Sequence, residues 1–258
     1  MAISAIDYLV FRALAKARAI PPQPDVLELG EANWYGDVDI SLLVGDIQAY
    51  VDRDKQAELL RELEKLFSNL SAEGVYFDIA KVFYKTFLNY RSIIAIDLHG
   101  SSKALRYNLN EPVSMDRQFH VVINTGTAEH VFNVFQFFKT VHERTCPGGL
   151  MIHAFPFLGW LDHGFYNFNP TLIADLAVAN QYDLLVWMYS ELQPFRFVQI
   201  KNIEQIHEMK KRGEMRENSM LHAVLRKPQN EQTFVAPMQG YYSGKLSELA
   251  VQDWTNLK

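Results

Sequence analysis

The stretch VLELGEANWYGDVD, from Val26 to Asp39, decides how the rest of the chain is interpreted. It begins as a short, mostly apolar strand that leads through Glu28 to Gly30, as strands do before a nucleotide-binding loop. Such a loop has further glycines close behind the first, which let the backbone approach a ligand. Here Trp34 and Tyr35 stand where those glycines would lie. We therefore interpret the stretch as a strand followed by a rebuilt loop.

The composition is that of a globular protein with a sizeable core, since 48% of the 258 residues are hydrophobic. The net charge of -5 argues against a general binder of nucleic-acid backbones, which usually has a basic surface. Cys146 is the single cysteine, so an intramolecular disulfide is excluded and a reducing compartment is favoured. No apolar run approaches the roughly 18 residues that a membrane span needs. We expect a cytoplasmic protein with neither a nucleic-acid nor a membrane partner.

Helical periodicity dominates the first part of the chain. A helix is predicted over residues 4–19, with Ser4 as its cap, because apolar residues recur there at helical spacing. Three prolines stop it before the first strand. Residues 52–70 and the stretch around Phe83 repeat the helical pattern. A helical insertion of about 40–90 is therefore predicted between the first strand and the second.

After this insertion, short apolar runs alternate with amphipathic helical patterns. The runs are IIAID, FHVVINT, LMIHAF, DLLVWMY and MLHAVLRK. This alternation predicts a mostly parallel sheet covered by helices on both faces, a doubly wound α/β domain that takes in residues 1–258. Ligands of such sheets bind outside the carboxyl ends of the strands. The residues just after each strand are therefore the candidates for a site.

Polar residues follow several of these strands. Asp97 ends the second run, where an acidic residue can accept hydrogen bonds from both hydroxyls of a ribose. The alternative for Asp97 is a helix cap. Asn110 is either an adenine contact or an ordinary turn residue. Thr125 follows the next strand and is a further candidate for ligand binding.

The strands and the polar residues that follow them, in their order along the chain, resemble those of the class I S-adenosylmethionine-dependent methyltransferases. The matching stretches lie within about residues 26–158 and are LELG, IIAIDLHG, LNEPV, FHVVINTGTAEHV and PGGLMIH. DLLVWMY and MLHAVLRK resemble the closing antiparallel strands of that family, and GTAEHVFNVFQFFKTVH with DHGFYNFNP resembles a bacterial subgroup. The resemblance implies a Rossmann-like sheet of seven strands, S-adenosylmethionine as cofactor, and a small-molecule acceptor. Methylation of oxygen is slightly favoured over methylation of nitrogen.

The resemblance also implies which residues hold the cofactor. They are Glu28, Gly30 and Asp97, with Asn110 and Thr125 as secondary contacts. Gly30 and Asp97 are 67 positions apart (97 − 30), against about 20 in a nucleotide-type motif, and the helical insertion accounts for the difference. Trp34 or Tyr35 can cover the positively charged sulfonium by cation–π attraction. The alternative is that both rings pack beneath the insertion.

Three of the eight histidines fall where an acceptor would bind. His163 lies in the aromatic stretch DHGFYNFNP, and imidazole titrates near neutral pH, so His163 is the predicted base that removes the acceptor's proton. His130 either contacts substrate or packs at the start of its helix, and His153 is predicted to be a core histidine. Asp162 and His163, with or without His130, could instead bind a metal. No ligand spacing on one helix face supports that alternative, so no metal is predicted.

Two other functions stay open at this point. A non-catalytic scaffold or regulatory subunit keeps the fold and loses the glycine-rich loop. A dinucleotide-dependent enzyme is disfavoured, because a pyrophosphate needs the missing glycines most. The charged insertion is predicted to be a solvated helix that could act as a lid or as a homodimer surface. Residues 245–254 could also act as a lid or as a dimer surface.

Overall fold

The structure is a computed structural model that describes residues 2–240, 242 and 244. Residues 245–254, for which a lid or dimer surface was considered, lie outside the described residues. The strands are β1 (Ala2–Ile3), β2 (Asp25–Leu29), β3 (Asn33–Trp34), β4 (Ser92–Ile96), β5 (Phe119–Thr125), β6 (Thr145–Leu158), β7 (Asp183–Leu192), β8 (Phe195–Gln199) and β9 (Ser219–Arg226). The helices are α1 (Ala5–Lys16), α2 (Ile40–Tyr50), α3 (Arg53–Phe67), α4 (Val75–Leu88), α5 (Val134–Arg144), α6 (Pro170–Ala179) and α7 (Ile203–Lys211).

Seven of these strands form one sheet in the order β4-β2-β5-β6-β9-β7-β8. β2 pairs in parallel with β4 and β5, and β5 pairs in parallel with β6. β9 runs antiparallel to both β6 and β7, and β8 runs antiparallel to β7. The sheet is therefore mixed and mostly parallel, and the predicted antiparallel pair is β7 and β9. β8 was not predicted. Between β4 and the stretch LNEPV, an isolated parallel β-bridge joins Leu105 to Ile96 at the end of β4.

Helices cover both faces of this sheet, as expected for a doubly wound α/β protein. Successive side chains of a strand point to opposite faces. Leu27 and Leu29 of β2 join one core cluster with apolar residues of α5, α6 and α7. Val26 joins a second cluster with residues of α1, α2, α3 and α4.

The N-terminal helix and the helical insertion are both present. Ser4 caps α1 in a reciprocal arrangement, because its hydroxyl accepts from the Asp7 amide and the Asp7 carboxylate accepts from the Ser4 amide. The insertion comprises α2, α3 and α4, of which α2 was not predicted separately. Only Leu59 and Leu63 of α3 are buried, so this helix is largely solvated. Among the described residues, no helix combines the length and apolarity needed to cross a membrane.

The order of the strands reverses next to β2. From β2 the chain crosses to β4 on one side and then returns to β5 on the other. Such a reversal opens a crevice at the carboxyl ends of the parallel strands, where ligands of α/β sheets bind. Four segments surround this crevice: residues 30–34, 97–101, 125–131 and 159–169.

Candidate functional site at the carboxyl ends of the strands

The loop after β2 turns at Gly30. Its φ of +83° is one that glycine adopts without steric cost. The Gly30 amide donates a 2.7 Å hydrogen bond to the carbonyl of Ile96, which ties the loop to β4. Glu31 then turns inward, and its carboxylate accepts from the Ser101 amide at 2.6 Å and from the Ser101 hydroxyl at 3.1 Å. A buried side chain thus occupies this loop, in agreement with a rebuilt loop.

Asp97 lies at the end of β4 and is half-buried. Its carboxylate accepts from the Glu31 amide at 2.9 Å and from the His99 amide at 2.7 Å. No helix begins at Asp97, so the alternative of a helix cap is wrong. A carboxylate has about four lone-pair positions, and two remain for the hydroxyls of a ligand.

Glu28 lies beneath the loop and not at its surface. It is fully buried, its carboxylate pairs with Lys81 of α4, and it accepts from the Ala32 amide at 3.3 Å. Burial raises the pKa of Glu28 above its usual value, although the Lys81 ammonium acts in the opposite direction. Lys81 also lies 3.6 Å from the Glu31 carboxylate. The Glu28 carboxylate is therefore engaged by Lys81 and Ala32 of its own chain and supports the loop from beneath, and a contact of Glu28 with the cofactor stays a prediction.

The two aromatic residues of the loop have different environments. Trp34 is 4% exposed and its ring packs against those of Tyr8 and Phe83, at 6.3 and 6.1 Å between centroids. It therefore belongs to the core beneath the insertion, which corrects the predicted sulfonium contact for this residue. Tyr35 is 62% exposed, so its ring is available to a ligand.

Asn110 holds a turn against the start of α5. Its side-chain oxygen accepts from the Asn133 amide at 2.9 Å, and its carbonyl accepts from the Asn133 side chain at 3.1 Å. The Asn110 side-chain nitrogen donates to Asn108 at 2.9 Å. The structure therefore gives Asn110 the role of a turn residue, the alternative to an adenine contact.

The end of β5 is shaped by Asn124. Its fully buried side-chain oxygen accepts from the amides of Thr127 and Ala128, at 3.0 and 3.1 Å, and so holds the short 3-10 turn Ala128–His130 against the strand. Thr125 is also buried, and its hydroxyl has no hydrogen-bond partner among the described residues. An unpaired buried hydroxyl beside a crevice suits a ligand that supplies the missing partner.

His153 of β6 is a core residue, as predicted. Its ring stacks on Phe155, with 5.1 Å between centroids and 13° between planes. One ring nitrogen lies 3.4 Å from the Asn124 side chain, and the other has no hydrogen-bond partner in the described part of the chain. Burial lowers the pKa of His153 to about 3, so the ring is neutral at physiological pH.

The turn after β5 brings together Glu129, His130 and His163, which we call the His–Glu cluster. Glu129 is 1% exposed, and burial raises its pKa to about 7. His163 Nε2 lies 3.6 Å from Glu129 Oε1, and the rings of His130 and His163 are 5.0 Å apart. Burial and the nearby His163 lower the pKa of His130. Glu129 was missed in the sequence, where its only signal is its place directly before His130.

The loop after β6 is fastened to Glu129 through the backbone. The amides of Phe165 and Tyr166 both donate to the Glu129 carbonyl, at 2.7 and 3.3 Å. Gly164 fits closely, because a Cβ at this position would lie 2.9 Å from that carbonyl oxygen and 3.1 Å from His130 Nδ1. The loop therefore holds His163 above Glu129. Asp162, which the sequence offered as an alternative ligand, is exposed and is not part of the cluster.

Apolar side chains surround the His–Glu cluster. Phe132 and Phe165 are largely exposed, and their rings meet edge to face with 5.9 Å between centroids. The Trp160 ring lies 5.0 Å from that of His163. An apolar rim around a few polar groups is typical of a site for a small molecule.

No protein-family model and no curated protein matches this sequence. Among solved structures, the chain is similar to 1,6-didemethyltoxoflavin-N1-methyltransferase of Burkholderia thailandensis, crystallised with 1,6-didemethyltoxoflavin and S-adenosylhomocysteine. The identity is 12%, the TM-score is 0.45, and the match covers 85% of this chain and 77% of that one. An S-adenosylmethionine-dependent methyltransferase of Mesorhizobium loti is 12% identical with a TM-score of 0.45, and the match covers 87% of this chain and 99% of that one. The N-methyltransferase NodS of Bradyrhizobium japonicum is 11% identical with a TM-score of 0.41, and the match covers 86% of each chain. This likeness assigns no residue of the chain a role.

Proposed function

We propose that the chain is an S-adenosylmethionine-dependent methyltransferase that acts on a small molecule, with an oxygen acceptor slightly favoured. The observation that carries the proposal is that the candidate site residues predicted from the sequence lie around one crevice. Five of these residues lie at or after the carboxyl ends of neighbouring strands, where the strand order reverses. They are Gly30, Asp97, Thr125, His130 and His163. Ligands of α/β sheets bind at such a reversal.

The residues on the β2 and β4 side of the crevice fit the cofactor. Asp97 keeps lone pairs for the hydroxyls of a ribose, and the buried Thr125 hydroxyl has no partner of its own among the described residues. The exposed Tyr35 ring is a candidate to contact the sulfonium by cation–π attraction. The cofactor, when bound, supplies a methyl group on a positively charged sulfur.

The His–Glu cluster lies on the acceptor side of the crevice. Methyl transfer to a hydroxyl requires that the acceptor be positioned in line with the methyl group and lose its proton. His163 is the proposed base for that proton, and the apolar rim holds the rest of the acceptor. This pairing of a polar cluster with an apolar rim is the reason to favour a small molecule.

A non-catalytic scaffold is the second candidate function. This function is favoured by the hydrogen bonds of the loop after β2. The carboxylates of Glu31 and Asp97 already accept hydrogen bonds from backbone amides of the same chain. A protein that had lost its cofactor would be expected to close its loop in this way.

Calorimetric titration with S-adenosylmethionine, S-adenosylhomocysteine and the nicotinamide dinucleotides separates these functions. We expect both sulfur ligands to bind with one site per chain and the dinucleotides not to bind. A folded protein that binds none of these ligands would support the scaffold, and dinucleotide binding would overturn the proposal. After a positive titration, release of S-adenosylhomocysteine with panels of hydroxylated and amine acceptors identifies the acceptor class.

A further inference from the structure

We propose that Glu129, His130 and His163 form a binding site for a divalent transition-metal ion of the zinc type. The donor set consists of one carboxylate and two imidazoles, and their ligating atoms all lie within 4.8 Å of one another. Imidazole donors suit zinc, iron, cobalt and nickel, whereas calcium and magnesium prefer oxygen donors throughout. The sequence predicted no metal, because these donors come from two segments that only the fold brings together.

The burial of Glu129 is the first observation that points to a cation. Its side chain is 1% exposed, and neither carboxylate oxygen receives a hydrogen bond from another described residue. A buried carboxylate without donors is costly in its ionised form unless a positive charge compensates it. The two imidazoles lie at the exposed side of this carboxylate, so a cation held among the three groups would have access from solvent.

The distances are close to those of a coordination site. Glu129 Oε1 and His163 Nε2 are 3.6 Å apart. Two ligands of a tetrahedral zinc ion are separated by about 3.3–3.4 Å, given bonds of about 2.0–2.1 Å. The distance of 3.6 Å is also longer than a hydrogen bond, so Glu129 does not orient His163 as the acid of a catalytic dyad would. Because both imidazoles are exposed, they have room to turn toward a common centre.

Two glycines adapt the backbone to this arrangement. Gly126 has a φ of +86°, and a Cβ there would lie 3.2 Å from Glu129 Oε1. A Cβ at Gly164 would lie 3.1 Å from His130 Nδ1. Both glycines thus leave space beside a proposed ligand. Three protein ligands also leave a fourth position open, which is the arrangement of catalytic zinc sites.

The use of this metal in catalysis rests on the proposed function. A divalent ion held by Glu129, His130 and His163 would lower the pKa of an acceptor hydroxyl at the open position, so that its proton would leave to solvent. The acceptor oxygen then forms a bond to the methyl carbon as the carbon–sulfur bond breaks, and the sulfur leaves as a neutral thioether. In this proposal His163 is a metal ligand, in place of the unliganded base predicted from the sequence, and the chelator experiment distinguishes the two roles.

The test measures metal binding by itself. The full chain is freed of metal with a chelator, dialysed, and titrated with Zn²⁺ by calorimetry and with Co²⁺ by visible absorption. We expect one ion per chain and the intense visible bands of Co²⁺ in a low-coordinate site. Glu129→Gln and His163→Ala should each lower the Zn²⁺ affinity by about 100-fold or more, since the loss of an outer-shell partner alone costs about 10–100-fold.

His99→Ala is the matched control, because His99 is an exposed histidine of the same sheet edge outside the cluster. It should bind Zn²⁺ as the parent does. Circular dichroism melting identifies variants that fail to fold, and Glu129→Asp then keeps the carboxylate as a conservative replacement with intermediate affinity. Absence of stoichiometric binding, or equal binding by the parent and Glu129→Gln, would overturn the proposal.

Binding of S-adenosylhomocysteine to the same samples distinguishes the two proposals. A protein that binds Zn²⁺ but no S-adenosylhomocysteine keeps the metal site and loses the methyltransferase function. The reverse result keeps the methyltransferase function and returns His163 to the role of base.

Discussion

The carboxylate of Asp97 accepts a 2.9 Å hydrogen bond from the backbone amide of Glu31. This contact joins the segment after β2 to the segment after β4, across 66 positions of sequence. A second contact joins the same two segments, because the Glu31 carboxylate accepts hydrogen bonds from the amide and the hydroxyl of Ser101. The loop that lacks closely spaced glycines is therefore held by acidic side chains.

Replacement of Asp97 should weaken S-adenosylhomocysteine binding. Asp97→Ala removes charge-assisted hydrogen bonds to the ribose, and we expect a loss of roughly 1.5–3 kcal/mol in binding free energy by calorimetry. Because Asp97 also holds the loop, melting temperature is measured beside affinity. Asp78→Asn, which removes a half-buried carboxylate of α4 that pairs with the exposed Lys103, is the control. If the folded Asp97→Ala protein binds as tightly as the parent, the ribose assignment is wrong.

The two aromatic residues of the loop should respond differently to substitution. Tyr35→Leu should weaken S-adenosylmethionine more than uncharged S-adenosylhomocysteine, by roughly 0.5–2 kcal/mol, if its exposed ring covers the sulfonium. Trp34→Ala should instead destabilise the fold by about 3–5 kcal/mol, since its ring is packed in the core. Calorimetry and urea unfolding measure these effects. Equal weakening of both ligands in Tyr35→Leu would exclude a sulfonium contact.

The ion pair of Lys81 and Glu28 should stabilise the loop through compensation of buried charge. Lys81→Met leaves the fully buried Glu28 carboxylate without its cation and should lower the free energy of unfolding by about 3–5 kcal/mol. The double variant Glu28→Gln, Lys81→Met should recover part of this loss, because no buried charge then remains. A double-mutant cycle from urea unfolding gives the coupling. Additive single effects would show that the two side chains act independently.

The sequence predicts those features that depend on local pattern. The alternation of apolar runs and amphipathic helices was enough to predict the sheet and the insertion, and strand ends pointed to Asp97 and His163. Lys81 was not predicted, because the two lysines in the apolar pattern of α4 do not reveal that one of them lies beside Glu28. Glu129 was missed for the same reason: its burial depends on the loop after β6, which is distant in sequence.

An edge strand of the sheet, β8, also could not be predicted from the local sequence pattern. β8 alternates exposed and half-buried residues, and because Phe195 and Phe197 are among the exposed ones, the strand buries no apolar face. Its partner β7 determines that it forms a strand at all. Likewise, Trp34 and Tyr35 are adjacent aromatic residues in sequence, and only the packing of α1 and α4 decides which of them is buried.

Buried His153 should make stability depend on pH. Its pKa is about 3 in the folded protein, against an ordinary value of 6.5, so the unfolded chain binds the extra proton first as pH falls. Stability is then lost from about pH 6.5 down toward pH 3, by at most about 1.4 kcal/mol per pH unit. His153→Gln lacks this loss, so the stability difference between parent and variant should shrink as pH falls. The exposed control His99→Gln should follow the parent, and parallel profiles for all three proteins would contradict the prediction.

His163 should be required for turnover and not for cofactor binding. It lies in the loop after β6, on the acceptor side of the crevice, and its described side-chain contacts are with Glu129, His130 and Trp160 and not with the segments that hold Asp97. We expect His163→Ala to lower turnover by about 10²–10⁴ while S-adenosylhomocysteine affinity stays close to that of the parent. If His163 is a metal ligand, a chelator should reduce the parent to the same level, and Zn²⁺ or Co²⁺ should restore the parent but not the variant. A parent that keeps its activity in chelator, with an inactive variant, would identify His163 as an unliganded base. Near-normal turnover in folded His163→Ala would exclude both roles and leave His130 as the residue to test.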